Sequence, residues 1–86
     1  MLITKQSVAD KLAGYLRHDI SLAQLVDWAE LALMEGELVD HDHGIIRDAL
    51  ARLGVADVRA FGLTWEDSEE LLHRLGFATR VDVVSA

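Results

Sequence analysis

The stretch Ile20–Gly36, ISLAQLVDWAELALMEG, constrains this chain more than any other. Ser21 stands three residues before Gln24, the spacing of a capping box, in which the hydroxyl accepts the Gln24 backbone N–H and the amide reaches back to Ser21. Ile20 before the cap and Leu25 after it have the spacing of a hydrophobic staple. Gly36 supplies a left-handed stop. Between these signals Leu22, Leu25, Val26, Ala29, Ala32 and Leu33 recur at helical spacing and predict one apolar stripe.

The far side of that helix is unusual. At 100° per residue, Asp27, Leu31 and Met34 fall on one row facing away from the stripe, with Trp28 and Glu35 on one flank and Glu30 on the other. A solvated row has no use for Leu31 and Met34. Two explanations stand: a second layer of the same chain covers them, or they belong to a contact surface for another chain.

Charge sharpens the second explanation. No Lys or Arg lies between Arg17 and Arg47, whereas Asp19, Asp27, Glu30, Glu35, Glu37, Asp40 and Asp42 do. Acids and bases cancel elsewhere, so the net charge of −7 belongs to this third of the chain. Such a field repels phosphate backbones and anionic membranes, which argues against nucleic-acid and membrane partners, and it speeds encounter with a basic protein. The plainer account is that the acids keep a small protein soluble.

The remaining chain reads as a small, mainly α-helical domain spanning residues 1–86, with about four short helices and a C-terminal strand, an α+β variant being the alternative. Met1–Ile3 is a short apolar, strand-like lead. Thr4 caps a first helix, with Ile3 and Val8 at staple spacing and Val8, Leu12, Tyr15 and Leu16 as its apolar face. Gly14 weakens the middle of that helix by about 1 kcal/mol relative to Ala. A short link at His18–Asp19 favours an antiparallel pair with the next helix.

Glu37–Gly44 reads as a polar loop. Asp42 is the expected cap of a third helix whose core face is Ile45, Ile46, Ala49, Leu50 and Leu53, with Asp48 and Arg52 at ion-pair spacing. Val55–Leu63 reads as a helix or turn in preference to a strand. Thr64 caps a fourth helix, with Asp67 at the reciprocal position and Trp65, Ser68, Leu71, Leu72 and Leu75 inward. Its Glu66, Asp67, Glu69 and Glu70 suit the positive end of the helix dipole. Gly54 and Gly76 sit in similar helix-ending segments, each predicting a left-handed Schellman turn. Beyond them Phe77, Thr79, Val81 and Val83 alternate with Ala78, Arg80, Asp82 and Val84, the period of a strand. Such a strand needs a neighbour: Met1–Thr4, Asp57–Leu63 or another molecule, including a twin subunit.

Chemistry finds little purchase. Asp40-His41-Asp42-His43 groups ligands that suit zinc or nickel, but histidines at i and i+2 match no zinc signature, and the cluster also reads as a polar loop with a cap. His41 and His43 are therefore the metal candidates, and no cofactor is expected. The serines lack a nucleophile-elbow context and there is no Gly-rich phosphate loop. Paired carboxylates for acid–base work remain open, since acids this common pair by chance. Zero cysteines exclude disulfides and a thiol nucleophile and fit the cytoplasm. No apolar run approaches membrane-spanning length.

Ile20-Ser21 leading to Leu25-Val26-Asp27-Trp28 resembles the opening of a helix in small bacterial colicin-type immunity proteins. That resemblance implies an acidic, mostly helical, non-enzymatic protein that neutralises a basic nuclease toxin by covering its active site; an antitoxin suits the same features. The expected contact surface is Asp27, Glu30, Leu31, Met34, Glu35 and Glu37, with Leu31 and Met34 as apolar anchors in an acidic rim. The alternative is a homodimer joined through Thr79, Val81 and Val83.

Overall fold

The computed structural model describes residues 1–39, 43–59, 61–80 and 83. Four helices form among them: α1 (Lys5–Leu16), α2 (Leu22–Glu35), α3 (His43–Gly54) and α4 (Trp65–Arg74). Two very short strands, β1 (Leu2–Ile3) and β2 (Glu37–Leu38), complete the architecture. The chain is thus mainly α, with a minimal parallel sheet added.

Local chemistry accounts for the three helix starts where a cap is described. Thr4 accepts the Ser7 N–H at 3.0 Å, and Ser7 Oγ accepts the Thr4 N–H at 3.2 Å. Ser21 and Gln24 exchange the expected pair at 3.1 and 2.8 Å. Thr64 and Asp67 do the same at 3.1 and 3.0 Å. Each box satisfies N–H groups that a helix start would otherwise leave unpaired. The expected cap of α3, Asp42, lies outside the described residues.

The helix ends differ from expectation. Gly76 is left-handed, and Phe77 N–H and Gly76 N–H donate to the Leu72 and His73 carbonyls at 2.9 and 3.0 Å, the Schellman pattern. Gly54 does not take that role: it is the last residue of α3, and a series of turns follows through Val55 and Val58, in line with the helix-or-turn expectation for that stretch. Gly36 is extended, at φ −74° and ψ 146°, because the chain passes directly from α2 into β2. The second Schellman turn lies at the end of α1. His18 holds φ 65° while Asp19 and His18 N–H groups donate to the Gly14 and Tyr15 carbonyls at 2.8 and 3.0 Å.

One core unites the elements. Ile3, Val8, Leu12, Leu25, Ala29, Ile46, Leu50, Leu53, Leu71, Leu72 and Leu75 are buried together. The α2–α3 contact is the most extensive; α1 packs on both, and α4 packs on α1. Within α2, Leu25, Val26, Ala29 and Ala32 are buried as the stripe requires, but Leu22 is half-buried and Leu33, in the last turn, is exposed. Ile45 and Trp65, expected inward, are also exposed, each lying in the first turn of its helix.

The sheet replaces part of the expected loop. Leu2 pairs with Glu37 and Ile3 with Leu38, and Glu37 and Val39 N–H groups donate to the Met1 and Ile3 carbonyls at 2.7 and 3.2 Å. Parallel strands need a long crossover, and the α1–α2 hairpin supplies it. Strand alternation turns Ile3 into the core and Leu2 outward.

The expected C-terminal strand does not form over Phe77–Arg80. After the turn at Gly76, Phe77 packs against the core and the Thr79 hydroxyl donates to Glu69 Oε2 at 2.9 Å. Thr79 and Val83 are irregular, and Val81 lies outside the described residues. One of the expected partners, the Met1–Thr4 lead, pairs with β2 instead.

Candidate partner-binding surface

The capping box at Ser21 sets where α2 begins, and its buried stripe sets how α2 is rotated on α3. Together they decide which residues face out. Asp27, Glu30, Leu31, Met34 and Glu35 are all exposed and share one side of α2. Leu31 is 45% exposed and Met34 81%, so neither is covered by a second layer of the described chain. Glu37, on β2, is exposed just past the helix end.

The charged side chains that α2 itself places on this side are all acids. The ion pairs Arg17–Asp19, Arg52–Asp67 and Arg74–Glu70 use none of its acids. Lys11 reaches the flank, where its ammonium lies 5.7 Å from the ring centre of the half-buried Trp28. The acidic side can therefore attract a cationic partner, while Leu31 and Met34 offer apolar area at its centre.

Two features escaped the sequence reading. The first is β2, whose parallel pairing with the expected strand-like lead places exposed Met1 and Leu2 beside Glu37; Leu2 is 64% exposed. A two-residue strand carries no periodicity that would reveal it. The second is a groove of about 540 Å³ between α1 and the 77–80 segment, with Ala9, Ala13, Leu16, Trp65, Leu72 and Phe77 among its lining residues. At its rim Gln6 donates to Asp10 at 2.7 Å.

The other expectations fare unevenly. Glu70 and Arg74 pair at 2.8 Å as their spacing predicts. Arg52 pairs at 3.0 Å with Asp67 on α4, a contact between helices, where the i,i+4 spacing had pointed to Asp48. The Asp67 carboxyl is held below its ordinary value of 3.8, first by the Thr64 backbone N–H, then by the Thr64 hydroxyl and Arg52. Of the loop proposed for metal, Asp40, His41 and Asp42 lie outside the described residues, and His43 is the exposed first residue of α3. Among the described residues, no His, Asp or Glu cluster could hold a metal ion. No helix there is long and apolar enough to cross a membrane.

No family model, curated protein or solved structure matches the chain. The geometry of α2 therefore carries the functional argument.

Proposed function

We propose that this chain works by binding a basic protein through the outer side of α2, as an immunity protein or antitoxin would, in the cytoplasm. The observation that carries the proposal is the exposure of Leu31 and Met34 inside a rim of Asp27, Glu30, Glu35 and Glu37. Apolar anchors ringed by one sign of charge supply affinity at the centre and steering at the edge. A twin subunit fits less well, because two copies would set like charges against each other.

The test is affinity capture from the source cell at low and high salt, with wild type and Leu31→Ser/Met34→Ser run in parallel. One stoichiometric basic protein, weakened by salt and lost with the variant, is expected. Equal recovery on both proteins would refute the surface. With Met34 mostly exposed and Leu31 about half exposed, the variant should lose no more than about 1–2 kcal/mol relative to wild type. A much larger loss would instead make the two residues core.

A further inference from the structure

We infer that the partner presents a basic amphipathic helix to α2, lying along its C-terminal half. This rests on the reading just given and specifies the occupant. Gln24, Asp27, Leu31 and Met34 are spaced three, four and three residues apart, and all four are exposed. That is the a/d spacing of a two-helix seam. In the same register Glu30 and Glu35 take the flanking g and e positions, where paired helices place their complementary charges. The seam is polar at Gln24 and Asp27 and apolar at Leu31 and Met34, so the apolar contact is confined to the last turns of α2.

The shape of the stripe selects a helix as the occupant. Leu31 and Met34 are about 4.5 Å apart along the axis, a rise that a/d residues of a second helix can match. Neighbouring same-face residues of an extended strand are roughly 6.6 Å apart and fall out of step. Charge selects its composition. With no Lys or Arg between Arg17 and Arg47, the charges α2 itself brings to the seam are all acids, and the complement to Glu30 and Glu35 is Lys or Arg at the partner's e and g positions. A second copy of α2 would bring Glu30 and Glu35 against acids of their own kind.

The experiment uses the full chain and three synthetic peptides: one helical, with Leu at a and d and Lys at e and g; its Glu counterpart; and the Lys peptide interrupted by Pro. Binding is read by fluorescence anisotropy of labelled peptide at low and high salt. The Lys helix should bind and weaken with salt, while the Glu and Pro peptides should fail. Leu31→Ser/Met34→Ser should weaken the Lys helix about tenfold or more, the loss expected of central anchors. Glu30→Gln/Glu35→Gln should flatten its salt dependence. Equal binding by the Pro peptide, lost in the Leu31/Met34 variant, overturns the helical occupant but leaves the surface standing. Undiminished binding of the Lys helix to that variant overturns both. No binding of the Lys helix at low salt overturns the helical occupant alone.

Discussion

Two glycines should respond to the same substitution with opposite signs. Gly36 closes α2 at φ −74°, a conformation any residue adopts, so the argument concerns space and not backbone freedom. A Cβ added there would sit 2.7 Å from Ile3 Cγ1 and closer still to the Ala32 carbonyl oxygen. Carbon atoms rest at about 3.5–4.0 Å, so β2 or β1 must move, and overpacking of this kind costs about 1–3 kcal/mol. The stiffer unfolded chain returns about 0.4–1 kcal/mol. Backbone atoms of Ala32 are among those met, so the upper end of that cost applies, and Gly36→Ala should lose about 2 kcal/mol, lowering Tm by roughly 8–16 °C in a chain of this size. Gly14 sits inside α1, and a Cβ there would meet only Ile20 Cγ1, at 3.8 Å, an ordinary contact. Gly14→Ala should gain about 0.5–1 kcal/mol from helix propensity. Urea unfolding followed by circular dichroism, with the slope held common to all variants, reads both changes. A Gly36→Ala midpoint equal to wild type, or a loss at Gly14→Ala, would refute the packing derived for the α2–β2 junction and for α1.

Three further outcomes follow from particular residues. His18 holds a left-handed backbone at φ 65°, so His18→Gly should raise stability by about 0.5–1 kcal/mol in the same urea assay; a loss would show that the imidazole contributes more than the strain removes. Asp67 has a depressed folded-state pKa, so its contribution is present above the ordinary value of 3.8 and is lost as pH falls below that through the folded value. Asp67→Asn should flatten that acid-side loss, and superimposable stability–pH curves for the two proteins would contradict it. Leu25 is fully buried on the stripe that the Leu31 row faces away from, so Leu25→Ala should cost about 2–5 kcal/mol, against about 1 kcal/mol for Leu31→Ser; similar costs would place α2 in a different rotation.

Much of the helical framework is written in local chemistry. Ser21 with Gln24, Thr64 with Asp67, and Thr4 each act within four residues of themselves, so their spacing alone locates three helix starts. The buried stripe of α2 and the outward row of Leu31 and Met34 follow from the same 100° rotation. That is why the candidate surface was legible in sequence. Local signals also misled. Gly54 and Gly76 carry similar flanking residues, yet only Gly76 is left-handed, and His18 takes that conformation with no glycine to announce it. The alternation from Phe77 onward is a true period-2 pattern, but Phe77 packs on the core and Thr79 bonds Glu69, and Phe77–Arg80 joins no ladder.

By itself, then, the sequence determined three helix starts, most of the face each helix buries, the concentration of negative charge between Arg17 and Arg47, and the lack of cysteine chemistry. Tertiary structure decided what depends on distant residues meeting: that β1 pairs with β2 across an α1–α2 crossover, that Arg52 reaches Asp67, that Gly36 is required for its close approach to Ile3, and that the described chain leaves Leu31 and Met34 uncovered. Caps and helical rotation are set by neighbours a few bonds away. Pairing and exposure depend on which distant segments pack together most stably, and no local pattern encodes that competition.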